Sequence, residues 1–393
     1  MWSVSTQDRN TPVMSDASTG GPLQGLLVAD FTRVLAGPFA TMMLADLGAR
    51  VVKVEHPGGD DSRGYGPFTD GRSLYFARVN RGKQSVALDL KDSADLAVAR
   101  RLALAADVVI ENYRPGVMDR LGLGPAALLA QDPRLVYCSI SGFGHTGPWS
   151  QRPAYDAVVQ AMSGIMAVTG AEGGGPVKPG IPVADLSAGL YAFGAITSAL
   201  LGRATTGRGT HLDIAMYDAT VSLLEGAALS WLATGTDPAP IGNAHYSIAP
   251  FDTFACRDRD ITICAANDTL FAGLAAALGL PGLASDPRFA GNAARHAGRV
   301  ALKQAVEAVL ATADADHWLD VLDLAGIPCG PLSTVAEAVT SEQTAARRMV
   351  VHAGGLPAPG QPVKASGYPD PLVRVAAPEL DEHGAAVRAE FGP

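Results

Sequence analysis

Through the first third of the chain, short apolar runs alternate with longer stretches whose apolar positions recur at helical spacing. Leu26–Asp30 (LLVAD), Arg50–Glu55 (RVVKVE), Ser85–Asp89 (SVALD), Asp107–Glu111 (DVVIE) and Leu135–Ile140 (LVYCSI) are short and rich in Val, Ile and Leu. Such runs suit strands buried on both faces of a parallel sheet. The stretches between them, Phe39–Leu47, Ser93–Ala105 and Val117–Ala130, predict helices; Gly37-Pro38 opens the first and Gly48 ends it. Repeated strand–helix–strand units give an α/β fold, with helices on both faces of a doubly wound parallel sheet. Ligands in such sheets bind beyond the carboxyl ends of the strands, so the loops after each strand are where chemistry is sought.

Further along, Asp156–Val168, Leu186–Leu201 and Asp213–Ala233 predict helices rich in small residues, the last following the turn Thr206–Gly209. Gly235–Gly242 reads as a linker. Beyond it, Pro250–Leu278 has the texture of a compact α+β unit, with a strand at Asp260–Ala265 and a helix at Thr269–Ala277. Helices follow at Arg299–Ala311 and His317–Ala325, then a turn-rich crossing at Gly326–Val335 and, from Met349, a Pro- and Gly-rich tail with short strands. The domain organisation expected is therefore a flexible extension over 1–21 and a large domain over 22–225. A linker and small α+β domain follow over 226–330, and the segment 331–393 returns to the large domain.

Composition narrows the function. Of 393 residues, 48% are hydrophobic and 18% charged, which suits a packed globular protein and argues against disorder. The net charge of −9 argues against a nucleic-acid partner, since phosphate backbones need an excess of clustered Lys and Arg. Cys138, Cys256, Cys264 and Cys329 form no CxxC pair and sit among apolar or small residues, as reduced thiols of a cytoplasmic protein do. The start lacks the basic and apolar regions of a secretory signal. The most apolar stretch, Leu186–Leu201, is too short and too rich in Gly and Ser to predict a membrane span.

Several familiar chemistries lack their residues. The loop after the first strand, Phe31–Pro38, has one glycine where a dinucleotide fingerprint needs three, and no phosphate-binding GxxxxGK[ST] occurs. No GxSxG nucleophile elbow is present. The histidines have no zinc-ligand spacing, so no metal and no permanently bound cofactor is expected.

What remains is a set of charged loops. Asn80–Lys83 precedes the strand ending at Leu88–Lys91, and Glu111–Gly116 follows another strand, with Arg120 one helical turn on. On one sheet these would bring basic groups to an edge where Arg and Lys could clamp a phosphorylated nucleotide and Tyr113 could stack on its base. An ordinary solvated sheet edge fits the same spacing. Among the acidic residues near element ends, Asp185 precedes a long helix of small residues that leaves room for a bulky ligand. A carboxylate there would keep its charge through the helix N–H groups and macrodipole; a plain N-cap is the alternative.

Seven segments, in order, carry a resemblance: DFTRVLAGPFATMMLADLGARVVKVE from Asp30, NRGKQSVALDLK from Asn80, ENYRPGVMDRLG from Glu111, SGFGHTGPWSQRPAYDAVVQAMSG from Ser141, PVADLSAG from Pro182, TGRGTHLDIAMYDA from Thr206 and GIPCGP from Gly326. Together they resemble the family III CoA-transferases, a group that includes formyl-CoA:oxalate and carnitine CoA-transferases. The resemblance implies a Rossmann-like large domain, a smaller domain, and a homodimer of interlocked ring-shaped subunits. It implies coenzyme A as a substrate, acyl-CoA and carboxylic acids as small-molecule partners, and Asp185 as a covalent nucleophile. It places the CoA pocket at Arg33, Val34, Leu35, Ala36, His56, Leu88, Lys91, Asn112, Tyr113, Arg114, Arg120 and Arg152. Tyr155 and Asp156 would orient the substrate, and backbone N–H groups near Asp185 or in the Ser247–Ala249 loop would stabilise the oxyanion.

The departures shape the expectation further. The glutamine some of these transferases hold beside the nucleophile is Leu35 here, and the lysine before the tyrosine is Pro153. Gly242-Asn243 leads into Ala-His-Tyr-Ser-Ile-Ala-Pro with no glycine run, unlike the lid of oxalate-type enzymes. The resemblance then points away from oxalate or formate and toward larger, often dicarboxylic, acids. The related α-methylacyl-CoA racemases carry a histidine where this chain has Tyr155, which disfavours that rival. A lyase or hydratase on the same scaffold and a non-catalytic CoA-binding protein remain as other readings.

Overall fold

A computed structural model describes residues 20–392 of the chain. The extension expected over 1–21 lies, up to position 19, outside the described residues. The chain forms two compact units. The first gathers the segments up to Val159, Pro182–Thr220 and Arg348 onward; the second is Gln160–Ile181 with Val221–Arg347. This division differs from boundaries at 225 and 330. Composition marks the linker near Gly235 but not the excursion 160–181, where Gly170 O accepts from Gly242 N–H and Glu172 pairs with Arg299 in the second unit.

The first unit is built on six parallel strands: β1 (Leu27–Phe31), β2 (Arg50–Glu55), β3 (Gln84–Ala87), β4 (Val108–Glu111), β5 (Val136–Ser141) and β6 (Thr210–Ala215), in the spatial order β3-β2-β1-β4-β5-β6. This is the doubly wound α/β order, and it reverses direction between β1 and β4. Helices α1 (Ala36–Asp46), α2 (Leu74–Asn80), α3 (Ser93–Ala105), α4 (Asp156–Met162) and α5 (Val183–Thr206) are the main connections. Asp92 caps α3 by accepting from the N–H groups of Ala94 and Asp95. Apolar side chains cover both faces of the sheet. Ala29, Val52, Val109 and Tyr137 pack with Val98, Leu102 and Ala103 on one side; Val28, Val51 and Ile110 pack with Ala40, Leu44, Ala188 and Ile196 on the other.

By length and a mean hydropathy of 1.3, α5 would pass for a membrane span. Its Ala184, Ala188, Ala192 and Ile196 stripe is instead buried beside β1 and β4. Small residues let it approach α1 closely: a Cβ on Gly189 would sit 2.7 Å from the Ala36 carbonyl oxygen.

Three expectations need correction. Thr210–Ala215 is a strand, paired in parallel with β5, where a helix from Asp213 was expected. Its Thr-His-Leu-Asp-Ile-Ala alternation has the period of an edge strand, and helix begins only at Met216. Val117–Ala130 is not one helix but two short ones, Val117–Arg120 and Pro125–Leu129, divided where Gly122 takes φ 67°. The tail, expected as short strands, also carries a helix at Gly384–Phe391.

In the second unit, strands β7 (Phe251–Ala255), β8 (Asp260–Cys264) and β9 (Cys329–Pro331) form an antiparallel sheet with β8 central. Phe254, Ile261 and Ile263 pack there with Phe271, Leu274, Val306 and Leu322.

Candidate active site

The loops leaving β1 and β4 meet where the strand order reverses. Asn112 clamps the β1 loop with both ends of its amide: its Oδ1 accepts from Arg33 N–H at 2.9 Å and its Nδ2 donates to Arg33 O at 2.8 Å. The next residue, Val34, has φ 67°, a conformation a β-branched residue avoids. Its N–H donates to the Asp60 carboxylate, 3.2 Å from each oxygen. The strained turn is thus held from two sides, and it sets Leu35 and Ala36 at the start of α1.

Below this turn lies a buried ionic cluster. Lys53 Nζ pairs with Asp60 at 2.8 Å and donates to Thr32 O at 2.7 Å. Lys83 Nζ pairs with Asp30 at 3.1 Å, and Thr41 Oγ1 donates to Asp30 at 2.7 Å. Burial pushes Asp60 up, but Lys53 and Ser62 outweigh it and hold the carboxyl at about 2. Asp30 likewise ends below its usual range because Lys83 and Lys53 outweigh burial. Burial drives Lys83 down to about 8, while the surrounding carboxylates leave Lys53 raised.

A cleft opens above the turn. It is lined by Arg33, Val34, Leu35 and Ala36 from the β1 loop, Asn112, Tyr113 and Arg114 from the β4 loop, Arg152 and Tyr155 before α4, and Asp185 in the first turn of α5. Tyr155 is 74% exposed. Tyr113 also lines an adjoining cleft with His56, Leu88, Lys91 and Arg120. Tyr113 joins the two, with Asp185 in one and Lys91 and Arg120 in the other.

Asp185 does not behave as a charge-keeping cap. The N–H groups of Ala184 and Asp185 donate to Asp156 Oδ1, at 2.9 and 3.3 Å, so Asp156 caps α5. Burial, then the nearby Asp156 charge, pushes the Asp185 carboxyl up to about 7, with Arg78 pulling weakly the other way. The expectation that helix N–H groups would keep Asp185 charged is therefore overturned: those donors are already taken. A carboxylate that ionises near neutrality in a cleft is a group suited to nucleophilic work.

The profile of CoA-transferase family III matches residues 23–384 of the chain. The chain belongs to CoA-transferase family III. An acetyl-CoA:oxalate CoA-transferase of Acetobacter aceti is 52% identical over 377 residues, covering 95% of this chain and 97% of the relative. Succinyl-CoA:glutarate CoA-transferase of Mus musculus is 40% identical, covering 90% of this chain and 83% of the relative. The fold matches a CAIB/BAIF family protein from Brucella suis with a TM-score of 0.84 and 43% identity, covering 94% and 99% of the two chains. The chain is an enzyme, a CoA-transferase.

Seen in a CoA-transferase, the basic edge expected at Asn80–Lys83 cannot clamp phosphate. Arg81 is buried against Asp46 at 2.6 Å, and Lys83 is buried on Asp30. The paired clefts are lined instead by Arg114, Arg120, Arg152 and Lys91, none of them in an ion pair among the described residues, with Arg33 shared with Asp61 at 3.5 Å. Ser247 belongs to the second unit. The Ser247–Ala249 donors are occupied: Ser247 and Ile248 N–H donate to His245 Nδ1, each at 3.1 Å, and Ala249 N–H donates to Asn292 Oδ1 at 3.2 Å. Asp60, Asp61 and Lys53 were missed by sequence reading. Lys53 had left a signal, as a cation set between valines in the middle of the run RVVKVE.

Proposed function

We propose that this CoA-transferase exchanges coenzyme A between two carboxylic acids, at least one of them a dicarboxylic acid, through Asp185. The observation that carries the reading is the Asp185 carboxyl, set in the cleft and ionising near pH 7. Ionised, it attacks the acyl-CoA carbonyl and expels CoA thiolate, leaving an aspartyl–acyl anhydride. The thiolate then adds to the aspartyl carbonyl and releases the first acid, leaving an aspartyl-CoA thioester. The second acid attacks that thioester, giving a new anhydride, and thiolate returns to the new acyl carbonyl, which frees Asp185. Each step trades one activated acyl bond for another, so no outside energy source is needed.

The oxyanion of each tetrahedral state needs donors, and those at Ala184 and Asp185 are committed to Asp156. The first N–H groups of α1, at Leu35 and Ala36, have no acceptor within the helix and lie at the cleft. Leu35 and Pro153 also help keep water from the anhydride. The dicarboxylic part of the reading draws on the relatives, which are named for oxalate, glutarate and mesaconate. A relative at 52% identity bearing the oxalate name weighs against leaving oxalate out on the missing glycine lid alone.

A homodimer belongs to the same reading. Leu190, Tyr191 and Leu201 on α5 stand exposed, and the helix Glu225–Thr234 buries no residue while exposing Leu229, Trp231 and Leu232. A sedimentation mass of one chain would remove that part.

The test of the chemistry is trapping. The enzyme is incubated with acetyl-CoA or succinyl-CoA, quenched with hydroxylamine, digested and analysed by mass spectrometry. A hydroxamate at Asp185 is expected. Its appearance at another residue, or at none, would remove Asp185 from the mechanism. A screen of both donors against oxalate, glutarate and mesaconate then reads the acids.

A further inference from the structure

Arg78 lies on α2. Its Nε is buried with no hydrogen-bond partner, and its guanidinium carbon lies 4.0 Å from the centre of the Tyr75 ring. Tyr75 in turn meets Tyr65 edge-on, with ring centres 5.5 Å apart. Among the described residues no carboxylate forms an ion pair with Arg78. The buried arginines Arg81 and Arg295 each hold one, and so does the half-buried Arg374. A half-buried guanidinium stacked on an aromatic ring without an anion has lost water and gained only part of its replacement.

This cluster is close to the nucleophile in electrostatic terms. The Arg78 charge draws the Asp185 carboxyl down, and the Asp185 charge in turn raises the Tyr75 phenol. Yet neither Arg78, Tyr75 nor Tyr65 lines the cleft that carries Arg33, Asn112 and Tyr113. Asp185 therefore lines the basic cleft and also senses the charge of Arg78, which lies outside that lining. A dicarboxylic acid gives Asp185 one carboxyl to exchange and keeps a second that stays ionised throughout. That second carboxylate needs a cation near Asp185, and a guanidinium offers it two parallel donors.

We infer that Arg78, backed by Tyr75 and Tyr65, receives the unreacted carboxylate of a dicarboxylic substrate and so selects diacids over monoacids. The inference rests on the proposed diacid exchange at Asp185. Arg78 is then a specificity-determining residue, and the missing anion of its site is supplied by the substrate.

The experiment measures kcat/KM for acceptors with acetyl-CoA as donor: glutarate, its monomethyl ester and butyrate. In the unaltered enzyme, glutarate should exceed both of the others on the order of 10²-fold or more, since losing one partner of a buried charge pair costs about that much. Arg78→Met should lower kcat/KM for glutarate on the order of 10²–10³-fold while the butyrate value falls far less, so the preference collapses. Arg78→Lys should recover part of it. Equal losses for glutarate and butyrate, or an unaltered preference, overturn the inference. Should Arg78→Met not fold, Arg78→Lys and the ester comparison decide: an ester used as well as the diacid overturns it. Hydroxylamine trapping runs in parallel. No adduct at Asp185 in the unaltered enzyme sinks the covalent reading itself; a normal adduct with an unaltered acid preference sinks only the role of Arg78.

Discussion

Asp60 and Asp185 are two acids withdrawn from water within the same unit, and their surroundings treat them in opposite ways. Asp60 faces Lys53 at 2.8 Å and accepts from Ser62 and Val34, and its carboxyl falls to about 2. Asp185 faces Asp156, and its carboxyl rises to about 7. Burial alone pushes both upward; the partner decides the sign. The paired acid holds a strained backbone turn in place, and the poorly paired one keeps a reactive lone pair. Scaffold and chemistry differ here by neighbours, not by residue type.

The sharpest break of the comparison is Asp185→Asn. Removing a covalent nucleophile should cut kcat by more than about 10⁴-fold while acyl-CoA still binds. Stability should move the other way. The folded carboxyl ionises at about 7 against an ordinary value of 3.8, so between those values the folded chain binds the extra proton. Stability therefore falls as pH rises through that window, and the asparagine variant escapes the loss. At pH 8 it should be more stable, by up to about 4 kcal/mol, in urea unfolding. Asp60 carries the reverse sign: its contribution is present above about pH 4 and is lost as pH falls toward its folded value of about 2. A variant at Asp185 that loses both activity and stability at pH 8 would make Asp185 another Asp60.

Lys53→Met attacks the paired side. It leaves the Asp60 charge buried without its partner and takes one of two lysines from Asp30. Breaking a buried pair by removing one member costs about 3–5 kcal/mol, again read by urea unfolding. A cost within about 1 kcal/mol would mean the cluster is solvated enough to need no matching, and the contrast with Asp185 would lose its force.

How much of this could be read from the string depends on the distance between partners. The β1 and β4 loops were legible because repeated strand and helix signals place them on one sheet edge. Arg33, Asn112 and Tyr113 therefore stood in loops that line the cleft before any contact was known. Lys53 was legible too, since a charge within an apolar strand must find a partner inside, yet the run around it was read only as a strand. The strand at Thr210–Ala215 was hidden by the helical texture that follows it, although its alternation was on the page. The cap on α5 was beyond local reading. Asp156 and Ala184 are 28 residues apart, and only the tertiary fold brings that carboxylate to those N–H groups. The same is true of Arg78, whose lack of an ion pair among the described residues is a fact about space and not about neighbours in sequence.

That distant cap gives the finest test of the comparison, Asp156→Asn. The asparagine oxygen can still accept from Ala184 N–H, so α5 keeps its start, while the negative charge that raises Asp185 is gone. The Asp185 carboxyl should then ionise at lower pH, still held up by burial. In a plot of kcat/KM for acetyl-CoA against pH, the acid limb should move downward by about one unit, as expected for one nearby like charge. A second buried acid makes the assignment demanding. Glu111, at the end of β4, is also pushed to about 7, chiefly by burial, with Asp119 and Asp213 as its nearby charges rather than Asp156. If the limb belonged to Glu111, Asp156→Asn would leave it where it was. A downward shift therefore assigns the limb to Asp185, and a fixed limb would transfer the neutral ionisation to an acid outside the cleft.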